Sequence, residues 1–173
     1  MGDIIEELFA RFSKLRIFKA REILLPDYVP EELPHRDEQI RQLATVLSPA
    51  ISGSRPPNVF IYGLTGTGKT AVTKYVLSRF SMKFGDKVIT SYINCRLCNT
   101  NYRVLSELAR SVGRPVPFTG LSTSEVLTRF VNGLESKKKL MVVVLDEIDW
   151  LVKNSGDTVL YHLTRLNSEL SRS

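Results

Sequence analysis

One eight-residue stretch constrains this chain more than any other: Gly63-Leu64-Thr65-Gly66-Thr67-Gly68-Lys69-Thr70. It satisfies G-x-x-x-x-G-K-[ST] at each fixed position, and its surroundings suit the motif. The apolar run Asn58-Val59-Phe60-Ile61-Tyr62 before it predicts a buried strand. After it, Ala71, Val72, Tyr75, Val76 and Phe80 recur at helical spacing. Gly63, Gly66 and Gly68 let the backbone turn tightly and aim its N–H groups at one point. The positive end of the following helix adds to that field, so a polyphosphate is the expected ligand. Thr65, Gly66, Thr67, Gly68, Lys69, Thr70 and Ala71 are its expected contacts, Lys69 reaching the β- and γ-phosphates and the Thr70 hydroxyl ligating Mg²⁺.

A second constellation completes the first. Leu140-Met141-Val142-Val143-Val144-Leu145 predicts another buried strand, closed by Asp146-Glu147-Ile148-Asp149. In parallel α/β sheets the carboxyl ends of strands form the ligand crevice, so this end and the glycine loop can converge. Asp146 is expected to hold Mg²⁺ through water, and Glu147 to orient or deprotonate an attacking water. The competing reading is a strand merely capped by acids. Asp149 is read as structural.

The rest of the chain reads as alternating helices, loops and one more strand. Ile4, Ile5, Leu8, Phe9, Phe12 and Leu15 predict an amphipathic helix over residues 3–16, leading into a basic cluster of Arg11, Lys14, Arg16, Lys19 and Arg21. Three prolines exclude a continuous helix over 22–34. Ile40, Leu43, Ala44 and Leu47 predict a helix ending near Pro49, and residues 52–57 a loop. Lys87 to Asn94 predicts a strand. Helices are expected over 101–112 and from Ser122 to 136, joined by the proline-stiffened loop 113–121. Ser122 and Glu125 have the spacing of a capping box. The last helix carries Val159, Leu160, Leu163, Leu166 and Leu170.

Composition narrows the function classes. No apolar run approaches the ~18 residues of a membrane span, and the acidic, amphipathic start is unlike a signal peptide. A cytoplasmic location is expected. Residues 1–57 hold 8 Lys+Arg and 9 Asp+Glu, whereas residues 58–173 hold 16 and 9. That excess permits nucleic-acid binding, although surface lysines are usually only solvated. Cys95 and Cys98 form a single C-x-x-C with no second pair for a four-ligand zinc site, so two reduced thiols are expected.

The pairing of GLTGTGKT with VVVLDEID resembles the AAA+ superfamily of ATPases. The flanking stretches RIFK, LLPDYVPEELPHRDEQI and YRVLSELARSVGRPVPFTGLS resemble, more narrowly, the archaeal replication initiators related to origin-recognition-complex subunit one and the cell-division-control loader. The resemblance runs from about Arg16 to the end. It implies an α/β fold, a P-loop NTPase three-layer sandwich on a parallel sheet, incomplete at the C-terminus, with a strand order of 5-1-4-3-2. On that pattern residues 1–20 form a helix and basic arm, and 21–173 an N-terminal part of the ATPase domain. The adenine-pocket segment would be 26–37, the Walker A loop 63–70, a helical insertion 101–136 and the Walker B strand 141–147. The lid and winged-helix domains are absent, and the strand at 58–62 is expected to lack both of its neighbours.

The resemblance also implies ligands and partners. ATP or ADP with Mg²⁺ would be the cofactors, with Tyr28, Val29, Pro30, His35 and Arg36 around the adenine. Lys69 and Glu147 would be the catalytic pair, and Thr70 and Asp146 the metal ligands. Arg110 and Arg114 would meet the phosphates of double-stranded origin DNA. The replicative helicase and other initiator subunits would be protein partners, at the nucleoid. The competing functions are another AAA+ machine such as a clamp-loader-like ATPase, a metabolite kinase, and a catalytically inactive ATP-binding fragment.

Overall fold

The computed structural model describes residues 4–6, 9, 20–24, 28, 30 and 32–170. Two compact units divide between Glu32 and Leu33. In the first, residues 4–6 and 9 are helical and Arg21–Leu24 forms a 3₁₀ turn. Most of the helix expected over 3–16, and Val29, lie outside the described residues.

The second unit runs α1 (Asp37–Leu47), a 3₁₀ turn (Ser48–Ser52), α2 (Lys69–Phe84), β1 (Val88–Asn94), α3 (Asn101–Ser111) and α4 (Thr123–Lys137). It continues with β2 (Leu140–Asp146), α5 (Ile148–Ser155) and α6 (Thr158–Leu170). β1 and β2 pair in parallel, in register from Val88↔Leu140 to Asn94↔Asp146. Strand side chains alternate between faces, and each face has its own core. Val88, Leu140 and Val142 pack with Leu47 of α1 and Val72, Val76 and Phe80 of α2. Ile89, Ile93, Met141, Val143 and Leu145 pack with Leu105 and Leu108 of α3, Val126 and Phe130 of α4, Leu151 of α5 and Val159 of α6. Helices therefore cover both faces of the sheet, the three-layer arrangement expected.

Local chemistry sets several boundaries. The Thr100 hydroxyl accepts from the Arg103 amide at the start of α3, and the Ser122 hydroxyl from the Glu125 amide at the start of α4. Half of the expected capping box is thus present. The Glu125 carboxylate turns instead to Arg129 at 2.8 Å. α3 ends where Gly113, at φ 81, sends its amide to the Arg110 carbonyl while the Arg114 amide reaches Ala109. That left-handed closure suits glycine. α5, which the sequence pattern did not predict, begins directly after β2.

One expected element does not form. Asn58–Tyr62 has no regular secondary structure, lies outside the two-stranded sheet and is exposed; it is not a buried strand. A strand is a property of a pair, and no described segment runs alongside this one. Phe60 and Tyr62 are consequently 75% and 83% exposed and stack on each other with centroids 6.0 Å apart.

The α3–α4 contact depends on a missing side chain. A Cβ at Gly133 would meet Val112 Cγ2 at 2.6 Å and Arg114 Cγ at 2.8 Å. Gly133→Ala is therefore expected to destabilise the protein by about 1–3 kcal/mol, the usual cost of overpacking. Urea unfolding measures this, and an unchanged midpoint would show that the helices part at no cost.

Candidate functional site

The site is assembled at the carboxyl end of β2, where α2 begins. Gly66 and Gly68 have φ of 81 and 83, left-handed values that only glycine adopts freely. Gly68 is the residue before α2, and no side chain caps that helix, so its first-turn amides are left without a side-chain partner. The Lys69 ammonium donates to the Gly63 and Leu64 carbonyls, both at 2.8 Å. The Thr67 hydroxyl donates to the Leu64 carbonyl as well. Three hydrogen bonds from two side chains therefore hold the loop in a closed curve around Lys69.

Thr70, one residue on, connects the loop to the sheet. Its hydroxyl donates to Asp146 Oδ2 at 2.7 Å, across 76 residues of sequence. Asp146 is fixed on every side. Tyr92 Oη donates to the same Oδ2 at 2.6 Å, and the Glu147 amide donates to Oδ1 at 3.0 Å. Its carbonyl accepts from the Cys95 amide, extending the ladder one step beyond β1. Above Tyr92, the Lys74 ammonium lies 4.8 Å from the ring centroid, one turn along α2 from Thr70. Glu147 is exposed and sits at φ 52, ψ 43, a left-handed conformation that costs a non-glycine residue about 1–2 kcal/mol. It forms the corner between β2 and α5. Asp149, in the first turn of α5, complements the helix dipole there.

The expected groups converge unequally. Thr67, Gly68, Lys69, Thr70, Asp146 and Glu147 lie together, with Thr65, Gly66 and Ala71 in the same loop and first turn. Arg36 joins them. A Cβ at Gly68 would meet its guanidinium Nε at 3.6 Å, so this side chain rests on the phosphate loop itself. His35, beside it, is exposed and left-handed at φ 60. A cleft of about 440 Å³ opens beside the loop, lined by Arg36, Gln39 and Gln42 on one wall and residues 59–62 on the other. Tyr28 is exposed and Pro30 half-buried, both within the first compact unit. Arg110 and Arg114 lie elsewhere, at the end of α3. Arg110 pairs with Glu107, and Arg114 is exposed with its stem against Gly133.

Tyr92 escaped the sequence reading. Its signal was period 2: counting back two residues from the strand end at Asn94 places it on the face that Asp146 occupies. Of the C-x-x-C thiols, Cys95 is buried and Cys98 half-buried. Burial, then Cys98 and the carboxylates of Asp146, Asp149 and Glu147, push the Cys95 thiol up to about 12. Burial and Glu107 raise Cys98, against Arg103 and Arg110. Both stay protonated at neutral pH, which suppresses thiolate chemistry.

The donor set fits a magnesium-bound polyphosphate. The glycine loop brings the Lys69 ammonium to the site, and Thr70 and Asp146 set two hard oxygens 2.7 Å apart, of the kind that suit Mg²⁺.

Comparison with known proteins agrees with that chemistry. The chain is 53% identical over 173 residues to an ORC1-type DNA replication protein 1 of Sulfurisphaera tokodaii, covering 100% of this chain and 44% of that protein. It is 48% identical over 170 residues to its counterpart in Aeropyrum pernix, covering 96% and 43%. The chain thus spans less than half the length of these curated relatives. Among solved structures it resembles the Aeropyrum pernix ORC1 protein in complex with DNA, with a TM-score of 0.81 and 49% identity over 87% of this chain and 41% of that one. The structure of Cdc6p from Pyrobaculum aerophilum is similar at a TM-score of 0.70 and 30% identity, covering 85% and 38%. Among the described residues, no helix is long and apolar enough to cross a membrane. Residues 32–172 match the family described as AAA ATPase domain, and the chain belongs to that family.

Proposed function

We propose that this chain is the nucleotide-binding part of an ATP-switched replication initiator that recognises double-stranded origin DNA. With other initiator subunits it would help load the replicative helicase, at the nucleoid in the cytoplasm. The observation that carries the nucleotide half is the Thr70–Asp146 hydrogen bond, which brings the two separately recognised motifs into one site. The initiator half is supported by the ORC1-type relatives.

Each residue then has a task. Loop amides 65–71 cradle the phosphates, and Lys69 leaves the Gly63 and Leu64 carbonyls to meet the β- and γ-phosphates. Arg36, already against Gly68, contributes a second cation at the rim, and the family resemblance assigns Tyr28, Val29, Pro30 and His35 to the adenine. Thr70 would hold Mg²⁺ directly and Asp146 through water, and the ion would supply charge neutralisation at the phosphates. Glu147, exposed at the corner between β2 and α5, orients or deprotonates the attacking water.

DNA contact is assigned to the loop between α3 and α4. Arg114 is exposed there, Pro115 and Pro117 stiffen it, and the Pro117 carbonyl accepts from Tyr102 Oη at 2.5 Å. Phe118 at its tip is 99% exposed, an apolar group of the kind that probes a groove. Arg110 must exchange Glu107 for a phosphate.

The test is duplex binding by the full-length protein, with origin and scrambled sequences, across a salt series and with ATP present. Arg110→Ala/Arg114→Ala is expected to weaken both duplexes and flatten log K against log salt by about two units, from roughly 0.9 per phosphate. An unchanged slope and affinity would reduce the loop to packing between two helices. Equal binding of both duplexes by the unaltered protein would remove origin recognition from the proposal.

A further inference from the structure

The carboxylate of Asp146 is held by more than the motif that contains it. Its Oδ2 accepts two hydroxyl protons, from Thr70 at 2.7 Å and from Tyr92 at 2.6 Å, while Oδ1 accepts from the Glu147 amide at 3.0 Å. The Glu147 bond is local and the Thr70 hydroxyl is itself an expected metal ligand. Tyr92 differs from both. It reaches Asp146 from the neighbouring strand, where the register places it two residues before the partner of Asp146. It is half-buried, so its ring is fixed between sheet and α2, with the Lys74 ammonium 4.8 Å above its centroid. A phenol on a rigid ring has one soft torsion at its tip, which makes it an accurate support for a carboxylate.

We propose that Tyr92 is a positioning residue for the magnesium site. Its hydroxyl fixes the rotamer of Asp146 so that Oδ2 faces Thr70. The Thr70 oxygen has lone pairs to offer a metal while its proton is donated to Oδ2, and Tyr92 holds that same Oδ2 from the neighbouring strand. The carboxylate is thereby prepared before the metal arrives and is kept from swinging afterwards. Groups that orient ligands in this way typically contribute about ten- to a hundredfold in metal affinity. The cation above the ring lies on the same side, so Thr70, Lys74, Tyr92 and Asp146 form one polar cluster on the α2 face. This inference rests on the nucleotide-site reading above.

The test is Tyr92→Phe in the full-length protein, which removes one oxygen and keeps the ring beneath Lys74. The readout is the Mg²⁺ concentration that half-maximally enhances binding of a fluorescent ATP analogue, with affinity in EDTA measured beside it. The Mg²⁺ midpoint is expected to rise about tenfold while metal-free affinity stays within twofold, a split that general loss of folding would not produce. Tyr92→Leu, lacking ring and hydroxyl, is expected to show at least the same shift. Asp146→Asn separates the two levels of the argument. If it raises the midpoint and neither Tyr92 variant does, the positioning role is wrong and the metal site stands. If Asp146→Asn also leaves the midpoint unchanged, the magnesium assignment and the role of Tyr92 fall together. Parallel losses with and without Mg²⁺ in the Tyr92 variants would mean that the residue supports only the fold.

Discussion

Replacing Lys69 with alanine is expected to weaken ATP binding by about 1.5–3 kcal/mol, roughly ten- to a hundredfold in Kd. Two effects oppose each other, and the first is the larger. The bound state loses the only loop side chain able to span the β- and γ-phosphates. The free state loses the bonds from Lys69 to the Gly63 and Leu64 carbonyls, which binding no longer has to break. Titration of a fluorescent ATP analogue decides the matter. Wild-type affinity in the variant would remove the phosphate-loop assignment, and with it the ATP switch.

Glu147→Gln is expected to act on the other quantity. The amide keeps the shape of the side chain but accepts no proton, so turnover should fall by about 10²–10⁴-fold with ATP affinity nearly unchanged. The structure favours a clean separation. Glu147 is exposed, and among the described residues its hydrogen bonds are made by its backbone: the amide donates to Asp146 Oδ1 and the carbonyl accepts from the Trp150 amide. Changing the side chain therefore leaves the β2–α5 corner intact. Single-turnover hydrolysis in a protein of the relatives' full length is the measurement, and a wild-type rate would dismiss Glu147 as the base.

What could be read from the residues alone followed a simple rule. Features encoded within one segment were legible: the glycine loop, the apolar runs that became β1 and β2, and the helical spacing behind α1 to α4. Features that exist only between segments were less so. Residues 58–62 have the composition of a strand, but composition cannot provide a neighbour, and without one their apolar side chains face outward. α5 has only eight residues, too few for a periodic pattern to emerge against the acidic run that precedes it. Arg36 was placed near the base by resemblance, whereas packing sets its guanidinium against Gly68. Tyr92 needed the register, which the sequence does not state.

That register makes counting matter as much as chemistry. β1 and β2 stay in step from Val88↔Leu140 to Asn94↔Asp146, and the side-chain period of a strand is two. A slip of one residue would turn Tyr92 toward the α3–α6 layer and bring Ile93 to face α2. No atom of the phosphate loop would have changed, yet Asp146 would lose its cross-strand anchor. Point substitution along β1 at positions other than Tyr92 is thus a milder perturbation of this site than any odd-numbered insertion or deletion that the strand absorbs.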